Sequence, residues 1–238
     1  MNPKPTKLSN SSELAVLNAQ IVRCRKCPRL VVYREKVAEV KRRAFSEWEY
    51  WGKPLPGFGD SNAQLLIVGL APAAHGGNRT GRMFTGDRSG DFLYKALYEA
   101  GFANQPTSVR RDDGLTLTNA FISATARCAP PDNKPLPSEL DNCRPYFERD
   151  LEILKPRAIL ALGGIAMRAY LGVLKSRGQI KGLAGCPFAH GASFAFPAPL
   201  PRLFASYHPS QQNTFTGRLT EAMLRDVLLA IRKYLRKP

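Results

Sequence analysis

Gln64-Leu65-Leu66-Ile67-Val68-Gly69-Leu70 is a near-continuous apolar run. A strand with one wet face alternates apolar and polar residues. A strand covered on both faces does not, so this run predicts a strand inside a parallel sheet. Ala158-Ile159-Leu160-Ala161-Leu162 repeats the pattern, and Leu115 to Thr125 and Leu203 to Ser206 read as two further strands. Helical stretches alternate with them. Asp91 to Ala100 ends at Gly101, a good C′ residue, and Ser138 caps a helix that runs to about Leu154 before Pro156. Ile165 to Leu171 follows the third strand. Thr220 to Arg236 is the last helix, with Arg232, Lys233, Arg236 and Lys237 where cations suit the helix dipole. Such alternation predicts an α/β fold with a parallel sheet between helices.

Upstream, residues 1–12 read as a loose tail. A short helix over Glu13 to Arg23, capped by Ser11 or Ser12, leads into Cys24-Arg25-Lys26-Cys27-Pro28, and a second helix spans about Val31 to Lys41. Lys53 to Asp60 is a Pro/Gly-rich connection, and residues 176–200 read as loop. Ligands of such folds bind where loops leave the carboxyl ends of strands. The three most unusual loops begin at Ala71, Arg127 and Tyr207.

Thirty-five Lys and Arg face nineteen Asp and Glu, a net charge of +16 and a sequence pI near 10.0. This excess attracts polyanions, and nucleic acid is the partner it best predicts. No apolar run is long enough to span a membrane, and the N-terminus lacks the pattern of a signal peptide. A cytoplasmic, nucleoid-associated protein that binds no membrane is the expectation. A basic surface argues for a monomer on its polyanion.

The first loop, Gly69 to Gly90, carries six glycines between residues 76 and 90 or at its start, enough for unusual backbone angles and close ligand approach. Gly76 to Gly81 opens like a P-loop, but Arg82 and Met83 stand where Lys and Ser or Thr are needed, so a nucleotide-triphosphate site is excluded. Asp87 is either a helix N-terminal residue or a working carboxylate. Phe84 is either core or a stacking platform. In the second loop, Asn133 of Arg127-Cys-Ala-Pro-Pro-Asp-Asn133 either makes an Asx-turn or reads a base edge with its amide. In the third, His208 of Ser206-Tyr-His-Pro-Ser210 follows a strand directly and is a candidate for charge stabilisation. His75 and His190 stand in no comparable pattern.

Five cysteines in a chain without a leader argue against a disulfide framework. Cys24-x2-Cys27, Cys128 and Cys143 could hold either zinc or a [4Fe–4S] cluster, and the wide second spacing tilts towards the cluster. Cys186 stands apart.

Gly69-Leu-Ala-Pro72, Arg82-x-Phe-Thr-Gly-Asp87, Cys128-Ala-Pro-Pro-x-Asn133 and Tyr207-His208-Pro-Ser210 together resemble the iron–sulfur uracil-DNA glycosylases, and within them the fifth, broad-specificity family. The resemblance runs from Cys24 to the last helix. It implies a three-layer α/β/α sandwich around a four-stranded parallel sheet, forming one glycosylase-like domain over residues 13–238. It implies a [4Fe–4S] cluster on Cys24, Cys27, Cys128 and Cys143, with Cys186 no ligand. Ala73 and Ala74 follow Gly-x-x-Pro where many relatives carry a polar or acidic residue, a feature of the fifth branch. Gln211-Gln212 stand where classical members have Pro-Leu.

The implied activity is hydrolysis of the N-glycosidic bond of uracil in DNA, with hypoxanthine or ethenocytosine as further substrates. The target base flips out of the duplex. By the resemblance, Asp87 orients water and His208 stabilises the departing base. Phe84 stacks on that base, Asn133 bonds its edge, and Ala71 and Ala73 flank it. Arg79, Arg82 and Arg218 are expected on the DNA backbone and Gln212 at the gap left in the stack. The rival is a non-catalytic nucleic-acid-binding module with metal in the cysteines. A zinc deaminase is excluded, because none of the three histidines opens an H-x-E signature.

Overall fold

The structure, a computed structural model, describes residues 8–237. Of the expected tail, residues 1–7 lie outside the described residues. Residues 10–12 belong to helix α1 (Asn10–Val22), because the Ser9 hydroxyl accepts from the Ser12 backbone N–H and caps the helix earlier than expected. α2 (Pro28–Val40) starts directly after Cys27, with proline in its first turn.

Four parallel strands make the centre of the sheet: β2 (Leu65–Gly69), β3 (Ala120–Ala124), β4 (Ala158–Leu162) and β6 (Arg202–Ser206), in the order β3-β2-β4-β6. Every residue of β2, β3 and β4 is buried, as the apolar runs predict. Two-residue strands β1 (Phe58–Gly59) and β5 (Ser193–Phe194) pair antiparallel at the edges, so the sheet has six strands rather than the four expected. Two residues are too few to show periodicity. β1 also depends on Gly59, at φ +139°, where a Cβ would collide with the Ala120 carbonyl.

Alternation along the strands divides the core in two. Leu65, Ile67, Ile122 and Leu160 face one side and pack with α4 (Arg88–Glu99) and α8 (Glu221–Leu235). Leu66, Val68, Phe121 and Ile159 face the other and pack with α1, α5 (Pro137–Leu154) and α6 (Gly164–Ser176). This is the expected α/β/α sandwich. Two short helices interrupt segments read as loop: α3 (Gly77–Thr80) and α7 (Gln211–Phe215). Among the described residues no helix is long and apolar enough to cross a membrane.

Buried charge ties the layers together. Arg127 on the segment leaving β3 pairs with Asp150 of α5, both essentially without solvent contact, and Ser123 joins them through its hydroxyl. Burial raises the Asp150 carboxyl while the Arg127 cation holds it down.

Candidate active site

The loops leaving β2, β3 and β6 meet at the carboxyl edge of the sheet, as the topology predicts. They enclose a cavity of about 830 Å³. Ala73, His75, Gly76 and Asp87 come from the first loop, Asn133 from the second and Gln211 from the third. Tyr33, Arg42, Phe45 and Trp48, from α2 and the segment after it, form the outer wall.

Asp87 caps a helix and also lines the cavity. Its Oδ1 accepts the Gly90 backbone N–H at 3.0 Å, starting α4. Its Oδ2 lies where a Cβ on Gly76 would stand, so glycine at 76 is what lets the carboxylate reach the cavity. Burial raises the Asp87 carboxyl and Asp91 adds to the rise. The N–H groups of Gly90 and Ser89 and the Arg79 cation act against it.

Phe84 of the first loop and His208 of the third form a pair, ring centroids 5.8 Å apart and planes tilted by 34°, though neither side chain lines that cavity. Phe84 takes φ +51°, an uncommon angle for a non-glycine residue. Gly90 makes it tolerable: any Cβ there would collide with the Phe84 carbonyl. The Phe84 ring lies against the Cα of Gly69 at the end of β2. Burial pulls the His208 imidazole down to about 4, so it is neutral at pH 7 and offers one N–H as a donor. The Asn213 side-chain amide donates to the His208 carbonyl at 2.8 Å and holds the turn. Asn133 is exposed on the cavity wall, after Asp132, both at positive φ (56° and 54°) in a turn where the Asn133 N–H reaches the Pro130 carbonyl. Ala71 is half-buried on the same loop as Ala73. Gln212 is exposed on α7, while its neighbour Gln211 reaches the cavity. Arg218 is exposed, its guanidinium 4.6 Å from the Tyr207 ring centroid.

Two expectations are corrected. Arg82 is 3% exposed and forms a bidentate pair with Asp113, Nη1 to Oδ1 at 2.9 Å and Nη2 to Oδ2 at 2.7 Å. Burial opposes the charge on Asp113, but Arg82 and three backbone N–H groups hold its carboxyl down to about 2. Arg79 is likewise 3% exposed. Neither guanidinium is available to a phosphate. Arg82 is paired with a carboxylate inside the protein, and Arg79 with backbone carbonyls of its own loop.

The exposed cations on the cavity wall are Arg42 and Arg88. The run Lys41-Arg42-Arg43, and the position of Arg88 directly after Asp87, were the available signals for them. His75 is the other residue missed by reading the sequence. Its Nδ1 is 3.1 Å from the buried Tyr50 hydroxyl, and a neutral ring accepting from Tyr50 there presents Nε2–H elsewhere. Burial, then Arg42 and Arg79, lower its pKa. Its place three residues after Pro72 in the first loop was the only local clue.

Cys24, Cys27, Cys128 and Cys143 surround one small cavity with Arg127, Asn142 and Tyr146. None of the five cysteines forms a disulfide among the described residues, and Cys186 lies apart. Donors face the sulfurs: Arg34 Nη1 reaches Cys128 Sγ at 2.9 Å and Asn142 Nδ2 reaches Cys27 Sγ at 3.5 Å. Arg34 Nε and two Arg127 nitrogens are buried without a hydrogen-bond partner. Burial pushes the Cys128 thiol up to about 12 and raises Cys143, so ionised thiolates here require a bound cation or cluster. Buried guanidinium groups beside four sulfurs fit a metal–thiolate group that carries negative charge.

A family model described as the uracil DNA glycosylase superfamily matches residues 56–232. A Type-5 uracil-DNA glycosylase of Mycobacterium leprae is 52% identical over 219 residues, 91% of this chain and 93% of its own length. One from Mycobacterium bovis is 50% identical over 228 residues, 94% of this chain and 82% of its own. One from Thermus thermophilus is 48% identical over 211 residues, 88% and 93% of the two chains.

Proposed function

The chain belongs to the uracil DNA glycosylase superfamily, and from that premise we propose that it excises uracil from DNA, leaving an abasic site. The observation that carries this reading is one cavity at the carboxyl edge of the sheet whose wall brings together the Asp87 carboxylate, Asn133 and the exposed Arg42 and Arg88, with the Phe84–His208 pair joining the first and third loops.

The duplex is held electrostatically, with Arg42, Arg88 and Arg218 the exposed cations around the site. Flipping the base costs a few kcal/mol, and less at a U·G mismatch. The flipped base stacks on Phe84, its edge meets the Asn133 amide, and Ala71 and Ala73 leave room for it. The C1′–N1 bond then breaks with its electron pair leaving on the base, where charge spreads to the carbonyl oxygens. A neutral His208 donates to one of them without losing a proton itself. Positive charge grows on the sugar. Asp87, ionised, offsets it, orients a water onto C1′ and takes the water proton as the C–O bond forms. Gln212 is placed to enter the gap in the stack. With alanines where a stricter site has a polar group, the pocket also takes hypoxanthine and ethenocytosine.

Cys24, Cys27, Cys128 and Cys143 would hold a [4Fe–4S] cluster. Such a cluster supplies a structural cross-link between the Cys24–Cys27 segment and the loop carrying Asn133. The same reading has residues 13–238 act as one domain, as a monomer on chromosomal DNA.

The deciding assay uses end-labelled duplexes with one U·G or one hypoxanthine·T pair, followed by alkali. Strand cleavage at the modified base is expected, from a brown protein carrying four iron and four sulfide per chain. Duplex binding without cleavage, by a protein carrying one zinc, would move the chain to the binding-module reading.

A further inference from the structure

Arg79 is buried, charged and on the wall of the catalytic cavity, yet it cannot reach DNA. Its guanidinium is stacked between two aromatic rings, 3.9 Å from the Phe45 centroid and 4.1 Å from the Trp48 centroid. Within that slot Nε donates to the His75 carbonyl at 2.8 Å and Nη2 donates to the Gly86 carbonyl at 2.7 Å. Nη1 is buried without a partner. The two carbonyls belong to opposite ends of the loop. One residue carries the imidazole on the cavity wall, and the other immediately precedes Asp87. Gly86, at φ +75°, is required for the approach, since a Cβ there would meet Nη2.

We propose that Arg79 is the positioning residue for Asp87: one guanidinium, clamped by Phe45 and Trp48, ties the His75 and Gly86 carbonyls together and so fixes the carboxylate against Gly76. This rests on reading Asp87 as the group that orients water. A loop rich in glycine would otherwise let Asp87 move by a fraction of its own length, and a misplacement of about 1 Å can cost about 10²-fold in rate. The fork geometry matters as well as the charge. Arginine offers two donors in a fixed plane, which lysine does not.

The charge has its own consequence. The groups acting on Asp87 are Arg79 from α3 and Asp91 and Tyr94 from α4, and His75, Arg42 and Arg88 share the cavity wall with it. Arg79 favours the ionised carboxylate against burial. Excision that needs ionised Asp87 is lost as the pH falls through its pKa. Removing the Arg79 cation raises that pKa, so the acidic limb moves to higher pH.

The test is single-turnover excision from a U·G duplex across pH, with duplex affinity measured alongside, for wild type, Arg79→Met, Arg79→Lys and Asp87→Asn. Arg79→Met is expected to excise about 10²-fold more slowly at neutral pH, with the acidic limb displaced upward and duplex affinity unchanged. Arg79→Lys is expected to restore the position of the limb while remaining slower than wild type. Wild-type excision carries the functional reading, and the variant ratios carry the inference. An unmoved limb in Arg79→Met would overturn it, as would a fully active Asp87→Asn control. Should Arg79→Met fail to fold, a wild-type rate in Arg79→Lys would overturn the positioning role equally well.

Discussion

Asp87→Asn is expected to bind a U·G duplex as the parent does and to excise uracil about 10²–10⁴-fold more slowly. Asparagine keeps the geometry: its side-chain oxygen can still accept the Gly90 N–H that starts α4, and it occupies nearly the same volume beside Gly76. What it loses is the negative charge facing the sugar and the basic oxygen for the water proton. A loss of 10³ would correspond to about 4 kcal/mol of transition-state stabilisation. The check is single-turnover kinetics with a parallel binding titration. Equal rates would remove Asp87 from chemistry and leave it as a helix cap.

His208→Ala is expected to lower excision by about 10²–10³-fold, the usual cost of one oxyanion-type donor. Because burial holds the imidazole neutral down to about 4, this loss should be the same at pH 6 and pH 8. The acidic limb belongs to Asp87 and should survive in the variant. An imidazolium acting as an acid would instead produce a loss that grows on the acid side. The depressed pKa also has a stability consequence with a definite sign. An unfolded histidine titrates near 6.5. Between about 6.5 and about 4 the unfolded chain therefore takes up a proton that folded His208 refuses. Its contribution is intact above about 6.5 and is lost as the pH falls through that window. In His208→Ala the melting temperature should fall less steeply over the same range.

Much of this was written locally. β2, β4 and β6 lie within a residue or so of the expected runs, because a doubly covered strand must be apolar along its length. The apolar pattern starts β3 five residues early: Leu115 and Leu117 are buried in the core, but from the connection rather than the sheet. α4 begins at Arg88 rather than Asp91, because Asp87 turned out to be the cap. α7 has no legible signal, since four polar residues followed by one phenylalanine carry no helical period.

From the sequence alone came the class of fold, the three loops that make the site, the cysteines that surround one cavity, and Asp87, Asn133 and His208 as residues of those loops. These follow from hydrophobic period and from motifs whose residues are neighbours in the chain. Only the tertiary structure decided which arginines meet solvent. Arg82 is matched by Asp113, 31 residues away, and Arg79 by rings at positions 45 and 48 and by carbonyls of its own loop. It alone paired Tyr50 with His75 and brought Arg42 and Asp87 to the wall of one cavity. The reason is physical. A residue's period and neighbours are set by local backbone geometry, whereas the partner of a buried charge is set by how distant segments pack.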